Sequence, residues 1–222
     1  MRSQITRLAG LAVLAISSLV GCSSTGYHKS NAAAVSMQEA AKEVQAESKA
    51  LDATLTAAKG LVNDPGTDIR KPYKQFSASP DHLVAAAKRT ELTRRKMEQK
   101  NNEYLAAWDK QIAAIDFEHI RELSQARRTE VANRFEEVNR RYQESHEVML
   151  PVISYFHDLQ TALEADLTKG GLDSMKSIVQ NAEGNAARVQ TALGSLMTEL
   201  ADSGVHMSSI AYQDAAPPPP VQ

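Results

Sequence analysis

The chain reads as an all-α protein: a long antiparallel up-down bundle, four helices thick at one end and thinning to a two-helix coiled-coil stalk at the other. Three observations predict it. Apolar residues recur at alternating spacings of three and four through four separate stretches, the period of a helix packed lengthwise on a neighbour. Proline- or glycine-bearing breaks and short polar turns separate the stretches and leave connections of a few residues, so successive helices must lie antiparallel and adjacent. Aromatic residues make up only 5% of 222 residues, which suits closely packed helices rather than a sheet of β-branched and aromatic side chains.

The first helix is expected from about 31 to 63. Its seam is Met37, Ala41, Val44, Leu51, Leu55, Ala58 and Val62, with Ser48 filling the one missing place. Asn63-Asp64-Pro65-Gly66 ends it, because Pro cannot continue the ladder and Gly accepts a turn. The second helix is expected over 68–115, with Leu83, Ala87, Met97, Tyr104, Trp108, Ile112 and Ile115 on its buried side. Ser79-Pro80 interrupts it. Pro80 either restarts a helix capped by Ser79 or kinks a continuous one, and the immediate return of the helical pattern favours the kink.

Asp116-Phe117-Glu118 is the expected turn into a third helix over 118–169. Its seam runs Ile120, Leu123, Val131, Phe135, Val138, Tyr142, Met149, Val152, Phe156, Leu159 and Leu163, with Pro151 inside it. Gly170-Gly171 is read as its stop. The fourth helix, 172–203, keeps the alternation without a gap from Leu172 through Met175, Val179, Ala182, Ala186, Val189, Leu193 and Leu196 to Leu200. Residues 204–222 follow as a flexible tail ending in the polyproline run Pro217 to Pro220.

At 1.5 Å per residue the outer helices are about 50 Å long and the middle two about 70–75 Å. Pairing across the three turns therefore predicts a two-helix stalk over 102–133, about 20 Å long. The same register puts Pro80 and Pro151 at one height, so that they bend the bundle as a unit.

The N-terminal stretch carries the strongest functional signal. Arg2 and Arg7 precede an apolar run from Leu8 to Val20, and Leu19-Val20-Gly21-Cys22 closes it. The run of about 13 residues is short for a bilayer span. The pattern resembles a bacterial lipobox, which implies a signal peptide over 1–21, cleavage before Cys22 and lipidation of that cysteine. Residues 22–30 then form a short tether. Two or more acyl chains anchor a protein stably where one does not. Ser23 stands where an aspartate would mark inner-membrane retention, so the resemblance implies the periplasmic face of the outer membrane. Cys22 is the only cysteine, so no internal disulfide is available.

The formal net charge of −2 becomes more negative when Arg2 and Arg7 are removed, which argues against nucleic acid as a partner. Arg94, Arg95, Arg140 and Arg141 fall at one height and make a candidate anionic-ligand band. Neighbouring Glu91, Glu98, Glu136, Glu137 and Glu144 favour interlaced surface ion pairs instead. The six histidines have no metal-binding spacing, and there is no nucleophile elbow, phosphate loop or zinc-protease motif. No cofactor and no catalytic residue are expected. Trp108 and Phe117, near the hairpin end, are candidates for contact with a partner or with lipid headgroups, against the plainer reading that they hold the hairpin together.

With these elements placed, the chain resembles a family of bacterial envelope lipoproteins catalogued as domain of unknown function 2959. The resemblance rests on the lipobox, the long helix after it, Trp108, Arg140-Arg141-Tyr142, Met149-x-Pro151-Val152 and Phe156-x-Asp158. Pro80 departs from the uninterrupted second helix expected there. The resemblance implies a periplasmic helical lipoprotein and carries over no catalytic residues. The expected role is non-enzymatic: a membrane-anchored structural or protein-interaction module, with an envelope partner or a second copy docking on it. The alternative is a binding protein for lipid or another anionic ligand, in a groove opened by the Pro80/Pro151 bend.

Overall fold

The computed structural model describes residues 26–208. The expected signal peptide, Cys22 and most of the proline-rich tail lie outside the described residues. Four helices follow one another: α1 (Gly26–Asn63), α2 (Arg70–Ala113), α3 (Glu118–Ala165) and α4 (Lys169–Met207). Each packs on its sequence neighbours, and α1 also packs on α4, which closes the four into a ring. The arrangement is the up-down bundle expected from the short turns.

The seams are more regular than the apolar residues alone suggest. On α1 the buried positions run 33, 37, 40, 44, 47, 51, 54, 58 and 61, spacings of four and three without a gap. Glu47 and Thr54 occupy two of them. The stripe of Ala41, Ser48 and Leu55 expected from the sequence is the half-buried flank facing α4, where Ser48 donates to Gln190 Oε1 at 2.6 Å and Gln190 donates back to the Ser48 carbonyl at 3.0 Å. The α3 seam is buried from Val131 to Leu163, as expected, with Ser145 filling its one polar place.

α2 passes through Pro80 without a break, and the reason is local. Pro80 has no N–H for the Phe76 carbonyl four residues back. The Ser79 hydroxyl takes that place, donating to the Phe76 carbonyl at 2.7 Å. The Thr54 hydroxyl of α1, which donates to its own Ala50 carbonyl at 2.8 Å, also lies 3.2 Å from the Ser79 carbonyl across the interface. Pro80 itself is buried, whereas Pro151 is exposed on α3. Phe76, Leu83 and Phe156 are fully buried around this level, so the bend region is packed with apolar side chains.

Three expectations are corrected. The two-helix stalk over 102–133 is not present. α1 starts at Gly26 rather than 31, and reaches so far along α2 that a Cβ on Gly26 would lie 2.5 Å from Gln111 Oε1. α4 runs through Gly204 to Met207, where Arg127 donates to the His206 carbonyl at 3.3 Å. Gly204 is helical and buried against the Ala34 carbonyl and Met37. The tether residues 26–30 and the supposed stop at Gly204 were thus helix, ordered by packing that overrides weak propensity. What projects is only the hairpin tip beyond Gln111. Second, Ile120 and Leu123 are 54% and 59% exposed instead of lying in the seam, because no third helix reaches them. Third, α3 ends at Ala165, and Gly170-Gly171 opens α4 rather than closing α3. Thr168 caps that helix by accepting from the Gly171 N–H at 3.1 Å. Gly171 must lack a Cβ, which would sit 2.2 Å from the Asp166 carbonyl oxygen.

Replacing the Ser79 hydroxyl tests the proline repair. Ser79→Ala is expected to lower unfolding stability by about 1 kcal/mol in urea titrations. In a Pro80→Ala background, where a backbone N–H is restored, the same substitution should cost measurably less. Equal losses in both backgrounds would show that the hydroxyl is not serving the orphaned carbonyl.

Candidate functional site

The hairpin end is built by α2 and α3 and finished by the start of α1. The Trp108 indole N–H donates to Ser124 Oγ at 3.0 Å across the pair, and the ring stacks on Tyr104 with centroids 5.3 Å apart. Arg128 grips Asp109 through two hydrogen bonds of 2.9 and 3.0 Å. Trp108 therefore clasps the hairpin, and its ring is half-buried. It also walls a hollow of about 230 Å³ with Gly26, Tyr27, Ser30, Tyr104 and Gln111. Phe117 behaves differently: it precedes α3 in an extended conformation and is 75% exposed. The two candidates named together from the sequence are thus separated by the structure.

The four arginines do come to one level, but each is engaged by its own helix. Arg94 meets Glu91 through Nε at 2.8 Å and Nη2 at 3.0 Å, and Glu98 at 3.1 Å. Arg95 shares Glu91 at 2.8 Å. Arg140 and Arg141 share Glu137 and Glu144 in the same way. The Arg94 guanidinium holds the Glu91 carboxyl down to about 2, with burial opposing and Arg95 assisting. An anion would have to displace these carboxylates, so the band is a self-neutralised face.

A feature the sequence reading missed lies inside the bundle at this height. Glu47 of α1 is only 5% exposed. Burial pushes its carboxyl above the usual range, while the Thr90 hydroxyl on α2 and the charge of His146 on α3 pull it partly back. The Thr90 hydroxyl completes no hydrogen bond of standard geometry, and neither does the buried Tyr142 hydroxyl on α3. Tyr142 is pushed well above its ordinary pKa, first by burial and then by the charge of Glu47. Three helices therefore place polar groups in one core layer. The signal available in the sequence was Glu47's place in the three-four alternation, hidden because a carboxylate does not count as apolar. Among the described residues no cluster of three or more His, Cys, Asp or Glu converges to hold a metal.

Fold and surface define a class: an all-α up-down bundle of four long helices, with a self-paired charged face, a polar core layer and an apolar hairpin tip. The family follows from comparison with known proteins. The chain belongs to the family described as protein of unknown function (DUF2959), whose model matches residues 21–207. No curated protein and no solved structure matches the chain.

The polar layer has a signed pH dependence. The folded-state pKa of Glu47 is raised above its unfolded value, so its effect on stability is least adverse below about pH 4 and grows as pH rises through the raised value. Glu47→Gln is expected to melt above the wild type near pH 7 and to converge with it near pH 4, as read by circular dichroism. Tyr142→Phe, which removes an unpartnered buried hydroxyl, is expected to be neutral or to stabilise by up to about 1 kcal/mol. A loss of several kcal/mol on Tyr142→Phe would reveal a bond that this packing does not contain.

Proposed function

We propose that the chain is a lipid-anchored envelope protein with a structural or protein-interaction role, held by Cys22 at the periplasmic face of the outer membrane. The observation that carries this reading is Leu19-Val20-Gly21-Cys22, placed after Arg2, Arg7 and the apolar run from Leu8. The start of α1 at Gly26 fits it, because a bundle that begins four residues after the cysteine stands directly on its anchor. Among the described residues no helix is long and apolar enough to cross a membrane, and the lipid supplies the attachment instead. The length of the bundle suits the interaction role. α2 alone, at 44 residues, extends about 65 Å, which carries the turns at 64–69 and 166–168 far from the anchor and exposes long helical faces to partners.

Metabolic labelling with a fatty acid tests the anchor. Label is expected on the wild type and absent from Cys22→Ala, and the wild type should sediment with outer-membrane vesicles on a density gradient. Ser23→Asp is expected to move the protein toward the inner-membrane fraction without loss of label. Equal labelling of wild type and Cys22→Ala contradicts the reading.

A further inference from the structure

We propose that the hairpin tip is a second membrane-contact point: Phe117, Ile120 and Leu123 insert into the headgroup region of the bilayer that holds the lipid on Cys22, and so stand the bundle upright. The inference rests on the anchor reading and adds a site and an orientation to it. These three side chains are 75%, 54% and 59% exposed. Ile120 and Leu123 are three residues apart on one helix and share a face, and Phe117 immediately precedes that helix. Phe117 stands at the apex, and Ile120 and Leu123 follow one and two turns back along α3, Leu123 close to the height of Trp108 that its bond to Ser124 fixes.

The occupant follows from chain geometry. Gly26 lies against Gln111, at the base of the tip. From Gly26 back to Cys22 is four residues, a reach of at most about 14 Å. α2 continues only to Ala113 and the chain turns over 114–117, so the tip stands less than about 10 Å above Gln111. A lipid on Cys22 therefore enters the membrane within reach of the tip's own height, and the bilayer is the apolar phase that must lie beside these side chains. The opposite end of the bundle, near Pro65, is held several tens of ångströms away. Charge does not favour electrostatic docking on an anionic surface, since even with Lys110 of α2 the tip carries more acidic than basic groups. Asp116, Glu118 and Glu122 outnumber Arg121 there, and Arg121 is already paired with Glu118 at 3.3 Å. The contact is thus one of apolar burial, suited to a zwitterionic surface and weakly dependent on salt.

Full-length protein matured in a bacterial envelope and reconstituted into phosphatidylcholine vesicles with nitroxide-labelled acyl chains provides the test. An environment-sensitive fluorophore is attached at Phe117→Cys, and in a parallel sample at Thr67→Cys in the distant α1–α2 turn. Mass spectrometry of the N-terminal peptide reports lipid on Cys22 in each sample. The expected result is a blue shift and roughly twofold lipid quenching at position 117, none at position 67, and little change in about 1 M salt. Adding Ile120→Asp and Leu123→Asp should abolish the quenching while the helical circular-dichroism signal is kept. Lipid on Cys22 with no quenching at 117 overturns the tip contact and leaves the anchor standing. Quenching at both positions overturns the upright orientation. A blue shift at 117 without lipid quenching places a second copy, or residues 209–222, over the tip and also overturns it. Absence of lipid on Cys22 removes the anchor reading and this contact together.

Discussion

The structure depends on one constraint: four helices must keep their three-four seams in contact over about 60 Å. A single slip would turn each apolar stripe out of the ring. Register is held at points spread along the length. The Thr54 hydroxyl sits on the Ser79 carbonyl between α1 and α2, and Trp108 bonds Ser124 between α2 and α3. Tyr155 donates to the Ile178 carbonyl between α3 and α4, and Ser48 and Gln190 exchange hydrogen bonds between α4 and α1. None of these bonds contributes much energy alone. Their value is geometric, since each is made in one register only.

The same constraint explains how the bundle accommodates residues that helical cores usually reject. Pro80 is tolerated because Ser79 satisfies the carbonyl that proline orphans. Glu47 is tolerated because Thr90 and His146 partly offset its desolvation. Both lie on seams, where an apolar side chain would have packed at lower cost. A buried polar layer weakens a bundle while penalising every register that leaves the polar group facing apolar neighbours. Glu47, Thr90 and Tyr142 occupy such a layer near mid-length, with the Ser48–Gln190 clamp at about the same height.

The proposed anchor and contact lie at one end of the bundle rather than in the core. The charged face is self-neutralised by Glu91, Glu137 and their arginines, and the interior is packed. The hairpin end is different. It gathers the start of α1, the end of α4 and a projecting apolar tip, and the segment bearing Cys22 leads into it. A protein tied by a lipid at one end and more than 60 Å long holds its far turns at a set height above a membrane only if the near end resists tilting.

The sequence by itself determined the four helices, their order, their antiparallel ring and most of the core from Val131 to Leu200. These follow from local periodicity and short turns, which any register must respect. It also carries the stretch ending at Cys22 on which the proposed anchor rests, a linear pattern that no tertiary contact enters. Only the tertiary structure decided where the helices stop. Gly26 to Ser30 and Gly204 to Met207 have weak intrinsic helix preference, and they are helical because a neighbouring helix covers them. That coverage shortened the expected stalk to a tip and separated half-buried Trp108 from exposed Phe117. It also revealed Glu47 as a core residue. Burial is a property of what lies opposite, and a single strand of sequence does not state what lies opposite.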